Sequence, residues 1–178
     1  MEKYVLNSYD SIKINKQKTC CFSGHRPQDL PWGNDENSVR CKRVRSKLER
    51  LIKQLIDTGV DCFLCGMALG FDMMCAEVVL KLKKDYPNIK LICVLPCLDQ
   101  ELLWEEFEQN KYRYILSNSD WVVCEHEKYF DGCMLVRNNF LVDNSSYLIC
   151  LYSGKKGGTS YTYDLAIKNG LKIFLINP

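Results

Sequence analysis

The chain has 178 residues, 47% of them apolar and 26% charged, with 24 Lys and Arg against 22 Asp and Glu. That length supports one domain, residues 1–178, with a substantial core and the composition of an ordinary globular protein. The formal charge of +2 lacks the basic excess of a duplex-DNA binder, and no run approaches the roughly 18 apolar residues that cross a bilayer, so neither a nucleic-acid nor a membrane partner is expected.

Residues 1–17 are polar and weakly patterned, and read as an extra edge strand or a loose amino-terminal arm. A regular alternation starts at Thr19. Thr19–Ser23 is a short apolar run ending at Gly24. A helical pattern over 37–58 places Val44, Leu48, Leu51, Ile52 and Leu55 on one face, with Gly59 where a helix end favours a left-handed residue. Residues 61–65 then read as a strand, and 71–86 as a helix stopped before Pro87. Next come a strand over 89–95 closed by Pro96, a helix over 99–116 and a strand over 121–124. The chain closes with a helix over 135–142, a strand over 147–152, a helix over 160–169 and a strand over 171–176. The strands are continuously apolar, which implies burial on both faces. Strand–helix alternation of this kind predicts an α/β fold: a mostly parallel sheet with helices on both faces, joined right-handedly.

Eleven cysteines is a high and odd count. Met1 to Ser8 lack the basic flank and apolar stretch of a secretion signal, so reduced thiols and a cytoplasmic location are expected. Cys62 and Cys65 form a close C-x-x-C pair, but on a strand residues three apart face opposite sides, as do Cys20 and Cys21. No metal site is expected, and most of these thiols read as small core residues. The basic residues Arg40, Lys42, Arg43, Arg45, Lys47, Arg50 and Lys53 read as the solvated face of their helix, since no aromatics are interleaved with them.

In folds of this class ligands bind beyond the carboxyl ends of the strands. Three unusual loops fall there: Ser23, Gly24, His25, Arg26 and Pro27 after the first regular strand; Gly66, Ala68, Gly70 and Asp72 after the second; Gly154, Lys155, Lys156, Gly157, Gly158 and Thr159 after the fifth. Glycines let backbone approach a ligand, while free N–H groups and the helix dipole favour an anion. Ser23 and Thr159 add hydroxyls; Arg26, Arg137 and Lys156 add charge. The competing reading is that these glycines only make turns and helix caps. His25, between Gly24 and Arg26, is expected to touch ligand. Trp104 either packs in the core or stacks on a base, and Gln100 or Glu105 is placed to accept from a ribose or base. Arg137 and Asn138 are expected to point into the same cleft. Asp143 either joins them or caps a helix or turn.

The stretch Gly66 to Asp72 resembles the Gly-x-Ala-x-Gly-Ile-Asp segment of DNA-processing protein A, and Gly157, Gly158 and Thr159 resemble the phosphate loop of the Lonely-Guy proteins. Together they identify the chain as similar to the SLOG superfamily of Rossmann-like domains. Ser23 to Pro27, the Pro96, Gln100 and Trp104 segment, and Arg137, Asn138, Val142 and Asp143 resemble its YpsA-like branch, in order over about residues 19–170. The resemblance implies a bacterial or phage protein that senses a nucleotide-derived ligand such as ADP-ribose, an NAD-related molecule or a cyclic nucleotide. Links to cell division and phage defence, and a homodimer or higher homo-oligomer, are implied in the same way.

One departure bears on chemistry. Lonely-Guy enzymes cleave an N-glycosidic bond with a glutamate three residues after the loop threonine; that position here is Thr162. Asp164 lies about 200° further round the helix. Without that carboxylate the expectation leans to binding without turnover, with no catalytic residue assigned. The alternatives are a nucleotide N-glycosidase or phosphoribohydrolase using Arg137 with Glu105 or Asp72, and a single-stranded nucleic-acid module.

Overall fold

In the computed structural model, residues 6–124 and 126–178 are described. Seven strands form one sheet in the order β1-β5-β4-β3-β2-β6-β7, and every pairing is parallel. They are β1 (Leu6–Asn7), β2 (Thr19–Gly24), β3 (Cys62–Cys65), β4 (Lys90–Leu95), β5 (Trp121–Cys124), β6 (Tyr147–Leu151) and β7 (Lys172–Ile176). Among the described residues, five α-helices accompany them: α1 (Val39–Asp57), α2 (Phe71–Leu82), α3 (Glu106–Asn118), α4 (Cys133–Asp143) and α5 (Gly158–Lys168). The expected alternation is present throughout. Of the amino-terminal arm, Leu6–Asn7 is an edge strand against β5; residues 1–5 lie outside the described residues.

Strands β2 to β6 are buried on both faces, as continuous apolar strands require, while the edge strand β7 is partly exposed. One face packs under α1, α2 and α3 through Leu48, Ile52, Phe71, Val79 and Tyr112; the other packs under α4 and α5 through Leu141, Val142 and Ala166. Tyr9, Ile12 and Ile14 cover the second face beside the helices. All eleven cysteines are buried. Cys20 and Cys65 enter the first core while Cys21 and Cys62 enter the second, the alternation that strand geometry dictates.

Local chemistry sets the helix ends. Ser38 accepts from the Cys41 N–H at 3.1 Å to open α1. Gly59 and Gly170, at φ 98° and 72°, let the chain turn back after α1 and α5. On the outer face of α1, Arg45 pairs with Glu36 and Glu77 at 3.2 and 3.1 Å, while Arg40, Arg43, Lys47 and Arg50 stand in solvent.

The helix expected over 99–116 begins only at Glu106. Residues 101–104 form turns whose carbonyls bond side chains instead of a continuing helix: Gln109 donates to Glu101 O at 3.2 Å and Trp104 O at 3.0 Å. Glu108 accepts from the Glu105 N–H at 3.1 Å and opens the helix afresh. Leu102 and Leu103 are exposed.

From β2 the chain steps outward through β3, β4 and β5, then crosses to β6 and β7 on the other side of β2. The strand order therefore reverses between β2 and β6, and a crevice opens there beyond their carboxyl ends.

Candidate functional site

That crevice holds a cleft of about 300 Å³. The end of β2 supplies Ser23, Gly24, His25 and Arg26; the turn into α2 supplies Ala68 and Asp72. Helix α4 supplies Met134, Arg137 and Asn138, and the start of α5 supplies Gly157, Gly158 and Thr159. Asp29, Lys155 and Lys156 stand at the mouth, so four cationic side chains face two carboxylates.

The floor is rigid. Arg137 is only 5% exposed, its Nε donates to Asn138 Oδ1 at 2.8 Å and its Nη1 donates to Gly66 O. Asp72 is equally buried, and its Oδ2 accepts from the Ala68 N–H at 3.4 Å. Burial pushes the Asp72 carboxyl up to about 6, against the opposing pull of Arg137. A carboxyl at that value is half-charged at about pH 6 and chiefly ionised at neutral pH.

His25 ties the two sides of the crevice together. Its Nε2 accepts the backbone N–H of Ser153, just past β6, at 3.0 Å, and lies 2.8 Å from Ser153 Oγ. That acceptance requires an unprotonated Nε2, so the neutral ring carries its proton on Nδ1. Burial lowers the His25 pKa, Lys155 adds to the lowering, and Asp29 opposes it. On the other side the His25 carbonyl accepts from the Phe71 N–H at 3.2 Å and holds the start of α2 in place.

The far wall is open. Residues 153–158 are exposed, and the first N–H groups of α5 have no intrahelical partner. They carry the positive end of the helix dipole towards Arg137 across the cleft. Lys155 pairs with Asp29, whereas the Arg26 guanidinium and the Lys156 ammonium have no ion-pair partner among the described residues. Such an arrangement attracts an anion of phosphate size and gives it backbone and charged donors.

Four of the expected site residues lie elsewhere. Gln100 and Trp104 line an adjoining cleft, which shares Arg26, Ala68 and Met134 with the first. Gly66 and Gly70 stand behind the wall of the first cleft. A Cβ on Gly66 would collide with the Arg137 guanidinium, and one on Gly70 would lie 2.6 Å from His25 O. Of the two carboxylates considered for catalysis beside Arg137, Asp72 is in the cleft, while Glu105 is exposed at the start of α3 and lines neither cleft. Asp143 is exposed at the end of α4, outside the site. Thr162 is buried, and its hydroxyl donates to Gly158 O at 3.0 Å, so it faces its own helix. Asp29 and Met134 were not singled out in the sequence; Asp29 follows directly on β2, and the crossover that brings α4 over β2 places Met134 here. Among the described residues, no group of three or more His, Cys, Asp and Glu could hold a metal ion, and no helix is long and apolar enough to cross a membrane.

The chain is similar to known proteins over most of its length. The model of the YspA SLOG family matches residues 20–177. A UPF0398 protein of Halalkalibacterium halodurans is 37% identical over 128 residues, covering 70% of this chain and 68% of that protein. One from Bacillus thuringiensis is 28% identical over 157 residues, covering 86% and 84% respectively. Among solved structures, DNA processing protein A of Streptococcus pneumoniae matches 90% of this chain with a TM-score of 0.63 at 18% identity. That of Helicobacter pylori, solved for its single-stranded DNA binding mode, matches 88% with a TM-score of 0.61 at 21% identity. This chain spans 50% of the first of those two proteins and 64% of the second, and the likeness is one of fold.

Proposed function

The chain belongs to the YspA SLOG family, and we propose that its crevice binds a phosphate-bearing nucleotide or nucleotide-derived small molecule as a sensor or sequestering protein. ADP-ribose, NAD-related molecules and cyclic nucleotides are the candidate ligands. The observation that carries this reading is the open start of α5: beyond their chain neighbours and the helix's own backbone, no described residue lies within 4 Å of where a Cβ would stand on Gly157 or Gly158, while Arg137 faces them from the floor. Open backbone N–H groups opposite a fixed guanidinium favour a phosphate over a neutral ligand. Thermal-shift and calorimetric screening against those ligands tests it. Ligand at 100 times its dissociation constant should add about 2.7 kcal/mol to stability, and Arg26→Ala should weaken the binding. No stabilisation of wild type by any of them refutes the reading.

A glycosidase reading draws support from Asp72, whose raised pKa suits a general acid or base. Incubation with nucleoside monophosphates followed by chromatography separates it from binding alone, and intact substrate at high protein concentration removes it. A nucleic-acid reading draws support from the Helicobacter pylori neighbour, which weakens the expectation drawn from net charge. Salt-dependent binding of a single-stranded oligonucleotide would favour it, because phosphate contacts release counterions; no binding at low salt excludes it.

A further inference from the structure

Beside the cationic cleft lies a second one of about 480 Å³ that the phosphate reading leaves unused. Its character is different. Leu102, Leu103, Trp104 and Met134 make it chiefly apolar, and Leu103 is 99% exposed, an arrangement that costs free energy unless something covers it. Trp104 packs edge-on against Tyr112 at 5.2 Å between ring centroids and is only partly covered, so its position is held while part of its surface remains accessible.

One polar atom there lacks a partner. Gln100 Nε2 donates to Met67 O at 2.6 Å, and since a carbonyl only accepts, the amide orientation is set and Oε1 is the remaining end. That oxygen is buried with no hydrogen bond. Met67 itself is held at φ 56°, in the left-handed region that a side chain disfavours. The Gln100 bond braces this strained turn, and the next residue, Ala68, forms the ridge between the two clefts.

Building on the proposed phosphate site, we propose that the ligand has two parts, a phosphate at the start of α5 and a flat nucleobase-type ring in the adjoining cleft against Trp104 and Leu103. The link between them crosses Ala68 beneath Arg26, which lines both clefts. A ring bearing an amino or amide N–H gives Gln100 Oε1 the donor it lacks; a sugar phosphate or inorganic phosphate leaves the apolar cleft empty. The ligand class is thus a base-bearing nucleotide, recognised at both ends.

Calorimetric titration of the full chain with ribose 5-phosphate and with a panel of mononucleotides (AMP, GMP, CMP, UMP and nicotinamide mononucleotide) tests this. At least one nucleotide should bind roughly tenfold or more tightly than ribose 5-phosphate, the gain expected from stacking a base on an aromatic side chain. Leu103→Ser, a change at a fully exposed side chain, should reduce that advantage roughly fivefold while leaving ribose 5-phosphate binding unchanged. If ribose 5-phosphate binds as tightly as every nucleotide, or if Leu103→Ser leaves the advantage intact, the ring site is overturned and the phosphate site stands. If nothing in the panel binds, the ring site is overturned, and the phosphate site stands or falls on the ADP-ribose, NAD and cyclic-nucleotide screen.

Discussion

The cleft has two walls built on opposite principles, although both read as glycine-rich loops in the sequence. On the side of β2 and β3, Gly24, Gly66 and Gly70 are required by the chain's own packing. A Cβ on Gly24 would stand 2.6 Å from Phe71 Cγ, and those on Gly66 and Gly70 would meet Arg137 and the His25 carbonyl. On the α5 side, a Cβ on Gly154, Gly157 or Gly158 would have no described residue within 4 Å beyond its chain neighbours and the helix's own backbone. Positive φ accounts for Gly154 at 91°, but Gly158 is helical and open, and nothing inside the chain demands glycine there. The first wall is a frame, and the second presents bare backbone. Glycine content alone does not separate the two.

The widest test of that contrast is Gly66→Ala. The added methyl displaces the Arg137 guanidinium from its bond to Gly66 O in a buried setting, and we expect a loss of about 3 kcal/mol in denaturant unfolding. Gly70→Ala should also destabilise, since it adds strain at φ 92° to a collision with backbone. An unchanged midpoint in both variants would mean that the frame yields easily, and the distinction between the walls would collapse.

Next in size is a pH effect confined to the frame. The folded-state value of Asp72 lies above the ordinary 3.8, at about 6. Protonation therefore favours the folded chain: the stabilisation is full below about pH 4 and is lost as pH rises through about 6. Asp29 and Glu49, held low by their lysine partners, act in the opposite direction, so the informative quantity is a difference. Wild type should lose roughly 3 kcal/mol relative to Asp72→Asn between pH 4 and pH 7, read from urea midpoints at each pH. Parallel curves for the two proteins would show that Asp72 does not titrate in this range.

Gly158→Ala should reveal the open wall by doing little to the fold. With free space around the position and helical φ, stability should stay within about 0.5 kcal/mol. Affinity for a phosphate-bearing ligand should nonetheless fall roughly tenfold, because the methyl occupies the ligand's approach to the α5 N–H groups. Calorimetry on a variant with unchanged melting behaviour separates these outcomes. Unchanged affinity would move the ligand away from α5.

Much of this was legible beforehand because period and punctuation agree: continuous apolar strands, helices ended by Gly59 and Gly170, and polar residues gathered at strand ends. The exceptions have physical causes. The pattern over residues 99–104 looks helical, but Gln100 and Gln109 spend their amides on backbone carbonyls, which breaks the helix and leaves Leu102 and Leu103 outside. Gly66 and Gly70 carried a motif that reads as ligand contact, yet their neighbours are Arg137 and His25, more than forty residues distant in sequence in each case. Long-range packing of that sort leaves no local signal. Lys155 and Asp29 likewise meet only because β6 pairs with β2.

The smallest predicted effect lies where the two walls join. His25 accepts the Ser153 N–H through Nε2, and burial lowers its pKa below the ordinary 6.5. The neutral ring is the folded form, so this contribution is present above about pH 6.5 and is lost as pH falls through the lowered folded-state value. Protonation would put a second donor where an acceptor is needed and release the loop after β6 from the end of β2. The Ser153 amide should exchange with solvent faster at pH 5 than at pH 7, after correction for intrinsic chemistry, while the core amides of β3 and β4 keep their protection. A side-chain carbonyl can accept that N–H at any pH, so His25→Gln should remove most of the dependence at a cost of no more than about 1 kcal/mol. If wild type and His25→Gln show the same pH response, the histidine is not the hinge pin between the frame and the open wall.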